Sequence, residues 1–374
     1  MEREIKPFIL SDLNDKIVLI TGPRQCGKTT LSKALFSNYY YLNFDLLEHR
    51  LEIKKKLWDK SADLVIFDEL HKMTNWKSFL KGIFDTQSNY QKMLVTGSAK
   101  LETFRKVGDS LAGRYFQFRL HPLTLKELSS VMPIEEAFNR LMEFGGFPEP
   151  FLKNNISFYK RWQKTHLNII LRQDLLDLES VKDISSIETL VELLRHRVGS
   201  SISYSSLARD LEKDPKTIKR WLMILENLYI IFKVSPFHKN AARMILKEPK
   251  YYFFDNAQVL GSAGARLKNL VATSLKRELD FIEDTQGLNV ALNFIKDKNG
   301  QEVDFMVSVE DRQYLIEVKS SDDQPSKSLQ HFSNFWPKAK LIQLVSNLER
   351  EKFLENGLMI KKLATWLSKL DFSI

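Results

Sequence analysis

An α/β fold built on a parallel sheet is predicted for the first third of this 374-residue chain by three observations. Short apolar runs alternate with helical stretches, the pattern of strands covered on both faces. The first run opens into a glycine-bearing loop followed by a helical stretch. The third run ends in two adjacent carboxylates.

Five strands are expected, in order: KIVLIT (16–21), YYYLNF (39–44), LVIFDE (64–69), KMLVTGS (92–98) and RYFQFRL (114–120). After the first comes Gly22-Pro23-Arg24-Gln25-Cys26-Gly27-Lys28-Thr29, then Thr30, which fits the phosphate-binding pattern G-x-x-x-x-G-K-[ST] in full. Glycines are needed because backbone N–H groups must wrap phosphate oxygens where a Cβ would obstruct. Lys28 is expected to reach the β- and γ-phosphates of ATP, and the Thr29 hydroxyl to ligate Mg²⁺. The following helix N-terminus favours the anion. Asp68 and Glu69 end the third strand, where Asp68 is expected to hold the Mg²⁺ through water and Glu69 to polarise the attacking water. Ser98, at the end of the fourth strand, is a candidate contact to the γ-phosphate or the lytic water. Arg114, before the fifth, is a candidate arginine finger toward a neighbour's nucleotide in a ring, with Arg105 as the fallback. Cys26 is read as filler within the loop.

From 121 to about 179 the pattern is helical, broken at Gly145-Gly146-Phe147-Pro148, where a turn is expected. From 181 to 248 a helix over 205–211 is followed by Asp214-Pro215, an N-cap and first-turn proline for a second helix. Ile218, Trp221, Leu222 and Leu225 form its buried stripe, and Lys216, Lys219 and Arg220 fall elsewhere. With the strand-like LYIIFKV after it, the outline is a winged helix-turn-helix. From 249 a helix (265–279) and strands near 289–295, 303–309 and 314–318 are expected, with a hairpin turn at 297–300. A helix (326–335) and a strand (340–345) complete an α/β unit.

Composition bounds the alternatives. Apolar and charged fractions of 43% and 28% are those of an ordinary globular protein. No uncharged apolar run reaches the about 18 residues of a membrane span, and the acidic, proline-bearing MEREIKPFIL lacks the form of a secretory signal. A cytoplasmic protein is expected. One cysteine and seven scattered histidines exclude a disulfide framework and a cysteine-rich zinc site. The net charge of +9 is concentrated: residues 195–247 hold eleven Lys and Arg against four Asp and Glu. Such an excess suits a polyanion, or is simply a solvated basic face.

The chain resembles the prokaryotic AAA+ family ATPases that join a GPRQxGKTT-type ATPase module to a C-terminal domain of unknown function. The strings that carry the likeness are GPRQCGKTTL (22–31), LVIFDELHK (64–72), VTGSAKL (95–101), SLAGRY (110–115), LHPLTLKEL (120–128), GGFPEP (145–150), SISYSSLARDLEKDPKTIKRWL (201–222), KEPKYYFFDN (247–256), GQEVDF (300–305) and LIEVKSS (315–321). The resemblance implies an AAA+ ATPase core (1–120), a helical lid (121–179), a winged helix-turn-helix (180–248) and a C-terminal α/β domain similar to PD-(D/E)XK nucleases and Holliday junction resolvases (249–374).

In that last domain Asp304 lies on one expected strand, and Glu317 and Lys319 lie on one face of the next. There Asp304 and Glu317 could ligate Mg²⁺, with Lys319 positioning water. One departure counts against cleavage. Related sequences usually carry Glu-Asn where this chain has Lys268-Asn269, and Glu278 is a doubtful substitute. Active nuclease and degenerate fold both stay open at this point. The leading expectation is a DNA-binding ATPase working as a homo-oligomer on duplex or branched DNA, gripping phosphates through Arg209, Lys216, Lys219 and Arg220. The alternatives are a switch that docks a protein partner and an ATP-gated endonuclease.

Overall fold

The computed structural model describes residues 2–86, 91–97, 111–174, 183–238 and 248–373, and the chain forms two compact units, Met1–His121 and Pro122–Ile374. The first unit holds β1 (Ile17–Thr21), β2 (Tyr39–Asn43), β3 (Leu64–Asp68), β4 (Lys92–Thr96) and β5 (Tyr115–Arg119), each inside the apolar run that predicts it. All four pairings are parallel, in the order β2-β3-β4-β1-β5. Every residue of β1 and β3 is buried, which is why these strands read as unbroken apolar runs. The helices among its described residues are α1 (Lys6–Asp12), α2 (Lys28–Lys33), α3 (Leu47–Lys55) and α4 (Trp76–Thr86). Trp76, Leu80 and Ile83 of α4 are buried at helical spacing in one cluster with Ile17, Val65 and Phe67. Each such side chain contributes about 1.5–3 kcal/mol when fully buried.

The second unit opens with α5 (Leu125–Leu128), α6 (Ile134–Phe144), α7 (Pro148–Lys153) and α8 (Ile156–Ile169). The expected break at Gly145 has a steric cause. Its φ is +70°, and a Cβ there would lie 1.9 Å from Asp255 Oδ1. Next come α9 (Ile184–Arg195), α10 (Tyr204–Asp210) and α11 (Pro215–Asn227). Ser203 caps α10, and the Asp214 carboxylate caps α11 by accepting from the Lys216 N–H. Ile218, Trp221, Leu222 and Leu225 are buried, as the stripe predicts.

The C-terminal sheet has eight strands among the described residues: β6 (Ile231–Pro236), β7 (Lys250–Phe253), β8 (Val290–Lys296), β9 (Glu302–Val309), β10 (Arg312–Lys319), β11 (Lys340–Val345), β12 (Lys352–Phe353) and β13 (Leu358–Lys362). Their order is β12-β13-β11-β10-β9-β8-β6-β7. It is accompanied by α12 (Ala263–Gln286), α13 (Lys327–Ser333) and α14 (Leu363–Ser368). β12, β13 and α14 are not among the expected elements.

Strands from the segment expected as a winged helix-turn-helix (180–248) and from the segment expected as the C-terminal domain (249–374) share one sheet. β6 pairs antiparallel with β7 and, through Ser235 and Pro236, parallel with β8, so both strands belong to the C-terminal sheet. The expected boundary between 248 and 249 therefore falls within a strand pair, and that between 179 and 180 also lies inside the second unit. LYIIFKV is apolar enough for this: Ile231, Phe232 and Val234 are buried, and Lys233 is the exposed residue among them. β7 ends the sheet, and Asn269 of α12 stands in for a further strand. Its side-chain oxygen accepts from the Phe253 N–H at 2.8 Å and its amide donates to Phe253 O at 3.0 Å.

Candidate functional site

β1 delivers the chain into the loop at Gly22, where a Cβ would lie 2.2 Å from Leu120 O, so glycine is obligatory. Gln25 (φ +60°) and Gly27 (φ +98°) adopt left-handed backbone conformations, and Gly27 is the N-cap of α2. Arg3 fastens the loop from outside, donating to Cys26 O at 3.2 Å and to His121 O at 2.5 Å. Lys28 is 8% exposed, and its ammonium folds back into the loop to donate to Gly22 O at 2.9 Å and Pro23 O at 2.6 Å. Cys26 is buried, with its sulfur 4.0 Å from that ammonium. The cation thus stands among the loop's own carbonyls.

Asp68 is the centre of a three-hydroxyl cluster. Thr29 Oγ1 donates to Asp68 Oδ2 at 3.1 Å, Tyr41 Oη donates to the same oxygen at 2.6 Å, and the Thr96 hydroxyl donates to Oδ1. These donors come from α2, β2 and β4, brought together because Asp68 stands in register with Asn43 on one side and Thr96 on the other. Burial, then the hydrogen bond to Asp68, raises the Tyr41 pKa far above the ordinary phenol value, so it stays a donor. Tyr41 was not among the residues singled out in the sequence. Its only signal is the strand alternation that sets Tyr41 on the opposite face from Tyr40.

Glu69 follows with φ +57°, its N–H donating to Thr96 O at 2.9 Å. Burial first, and the Asp68 carboxylate second, push its carboxyl up to about 6, against the opposing pull of Lys72, Lys28 and Arg24. Its Oε2 is buried without a hydrogen bond among the described residues and faces His71 Nε2 at 3.4 Å. Ser98 and Arg105 lie outside the described residues. Arg114 lies at the start of β5, where its carbonyl accepts from the Ile17 N–H, so five strand residues (about 16 Å) separate it from its own loop. Its guanidinium forks onto Asp85, with Nε at 2.7 Å from Oδ1 and Nη2 at 3.1 Å from Oδ2.

A magnesium triphosphate fits this set. A hydroxyl and a carboxylate oxygen already point at each other, an ammonium waits among carbonyls, and a buried carboxyl oxygen lacks a hydrogen-bond partner among the described residues. Thr29 and Asp68 would hold the metal, and residues 22–30 the phosphates.

The C-terminal candidate differs. Asp304 on β9 and Glu317 on β10 are adjacent: Asp304 Oδ2 accepts from the Val318 N–H at 3.0 Å, and Glu317 Oε2 from the Asp304 N–H at 3.4 Å. Both carboxylates carry an ion pair: Lys268 Nζ lies 2.5 Å from Asp304 Oδ1 and Lys319 Nζ 3.0 Å from Glu317 Oε1. Each ammonium would compete with a divalent ion for its carboxylate. Burial, then Asp304, raises Glu317 to about 7, which further weakens it as a ligand. Glu278 does not complete the set: it is buried, 3.0 Å from Lys126 Nζ and bonded to Arg277. Among the described residues no group of three or more His, Cys, Asp and Glu could hold a metal. On α11, Lys216, Lys219 and Arg220 are exposed on one face, and Arg209 is exposed on α10.

The first unit has the parallel sheet and phosphate loop of a P-loop AAA ATPase domain. Residues 14–129 match the family model described as an AAA domain, residues 135–269 a domain of unknown function (DUF8612), and residues 263–365 another (DUF4143). An uncharacterized protein of Methanocaldococcus jannaschii is 27% identical over 341 residues, covering 81% of this chain and 74% of the relative. One of Haemophilus influenzae is 23% identical over 373 residues, covering 83% and 90%. Among solved structures, a Thermotoga maritima RuvB variant overlaps at a TM-score of 0.33 and 16% identity, covering 62% of this chain and 87% of that one. No described helix is long and apolar enough to cross a membrane.

Proposed function

We propose that the chain is a Mg²⁺-dependent ATPase that acts on duplex or branched DNA as a homo-oligomer. The observation that carries the ATPase reading is the convergence on Asp68 of the Thr29 hydroxyl, beside the Lys28 ammonium and a buried Glu69 of raised pKa. Bound Mg²⁺ neutralises charge on the phosphates. Lys28 exchanges the Gly22 and Pro23 carbonyls for phosphate oxygens, and Tyr41 and Thr96 keep the Asp68 carboxylate oriented. Glu69, once ionised, takes the proton of the attacking water, a role suited to a group titrating near working pH. Arg114 stands far from its own loop and is offered to a neighbouring copy's nucleotide, with Asp85 holding it until then.

DNA is assigned to the basic face of α11, where Lys216, Lys219 and Arg220 stand at i, i+3 and i+4 above a buried apolar stripe. The Lys268 ammonium on Asp304 and the Lys319 ammonium on Glu317 count against cleavage.

Titration calorimetry with Mg·ATP tests the first part: the wild type gives heat and Lys28→Ala gives none. Heat from Lys28→Ala equal to wild type overturns the assignment. An electrophoretic shift of duplex DNA tests the second. The shift should weaken as salt rises and vanish in the Lys216/Lys219/Arg220 triple alanine variant; no shift at low salt removes DNA from the account.

A further inference from the structure

A cavity of about 240 Å³ opens beside α11, walled by Tyr204 and Tyr251 and reaching Glu226. The two tyrosine hydroxyls are 3.1 Å apart, and Tyr251 is only 3% exposed, so this wall is fixed by packing. Glu226 lines the cavity, and its side chain makes no hydrogen bond or ion pair among the described residues. Burial raises its carboxyl above the ordinary value, and the Lys233 ammonium pulls it back toward the ionised, accepting form. Lys219 and Lys233 stand at the rim.

The lining selects among ligands. The volume lies below the roughly 300–1,000 Å³ of ordinary small-molecule sites, so it suits one flat ring system. Tyrosine supplies a π surface on which any base can stack. A carboxylate accepts best from two adjacent N–H groups, which the Watson–Crick edge of guanine presents and no other standard base does. Two ammonium groups at the rim disfavour a cationic peptide side chain and favour phosphates on either side of the inserted group.

We propose that this cavity receives a single unstacked guanine of a DNA strand, its face against Tyr204, its N–H edge on Glu226, and the flanking phosphates on Lys219 and Lys233. The proposal rests on the DNA-binding reading above and adds a base preference to it.

The test uses the full chain and labelled twelve-residue oligo-dT strands carrying at the centre guanine, thymine or an abasic site, read by fluorescence anisotropy at low salt. The guanine strand is expected to bind roughly five- to tenfold more tightly than the abasic strand, the scale of one base–aromatic stack. Tyr204→Ala should erase that gap. Glu226→Gln, nearly isosteric and so a safeguard if the first variant misfolds, should remove the preference for guanine over thymine while leaving abasic binding unchanged. Equal wild-type binding of guanine and abasic strands overturns the proposal and leaves DNA binding standing. Failure of every strand, and of duplex, to bind overturns both. Competition by free dGMP as strong as by the guanine strand would assign the cavity to a mononucleotide. Displacement of the guanine strand by an arginine-rich peptide, with retention in Glu226→Gln, would assign it to a peptide instead.

Discussion

The Lys268 ammonium lies 2.5 Å from Asp304 Oδ1, so a side chain of α12 supplies the positive charge that a carboxylate pair on β9 and β10 would otherwise draw from a metal. Asp304 is 2% exposed, and removing its partner leaves a buried charge. Breaking a fully buried pair costs about 3–5 kcal/mol; because the Lys268 side chain is 30% exposed, Lys268→Ala should cost less, about 1–3 kcal/mol. Urea unfolding checks this, and Lys268→Ala/Asp304→Ala should recover most of the loss. Wild-type protein should leave plasmid DNA intact with Mg²⁺ or Mn²⁺; nicking that Asp304→Ala abolishes would restore the nuclease reading.

Tyr41 donates to the oxygen of Asp68 that also accepts from Thr29. A hydrogen bond to a charged group contributes about 1.5–3 kcal/mol. In Tyr41→Phe the carboxylate keeps only Thr96 of its two orienting donors, and the Mg²⁺ concentration for half-maximal ATP turnover should rise about threefold to tenfold. An unchanged or lower requirement would show that the phenol competes with the metal instead of orienting its ligand.

Glu69 must be ionised to accept a proton, and its carboxyl titrates near 6. ATP turnover should therefore rise as pH increases from 5 to 7 and level off above. Glu69→Gln should still bind ATP but turn over about 10²- to 10⁴-fold more slowly, with the rising limb gone. Wild-type rates in that variant would move the base elsewhere.

Asp255 is 2% exposed, accepts from Tyr159 Oη at 3.1 Å, and is pushed up to about 7 by burial. Its folded-state value is raised, so its protonated form favours the fold: this stability is fully present below the unfolded value near 3.8 and lost as pH rises through about 7. Between pH 5 and 8 the urea midpoint of the wild type should fall relative to that of Asp255→Asn. Parallel midpoints would show that Asp255 is ionised in the fold throughout.

The residues proposed to bind nucleotide are legible as a pattern because its constraints are local. Gly22, Gly27, Lys28 and Thr29 sit within eight positions, and β3 announces Asp68 and Glu69 at its end. Tyr41 was not legible, since it reaches Asp68 across 27 residues through strand register, and alternation separates it from Tyr40 but not from Tyr39. Lys268 could be read only as a departure from related sequences; its contact with Asp304 depends on how α12 lies against β9. The pairing of β6 with the C-terminal sheet was only partly readable: Ile231, Phe232 and Val234 mark a well-buried strand, but its partners lie far along the chain. Gly145 was legible as a turn, but the Asp255 oxygen that forbids a larger residue lies 110 positions away.

The pairing of β6 with both β7 and β8 has a practical corollary. A protease nick or engineered stop after 248 would strip two partners from a strand whose Ile231, Phe232 and Val234 are buried, leaving a sticky ribbon edge open to self-association. Anyone wishing to study the basic helix in isolation must carry the downstream sheet along with it, or expect precipitate.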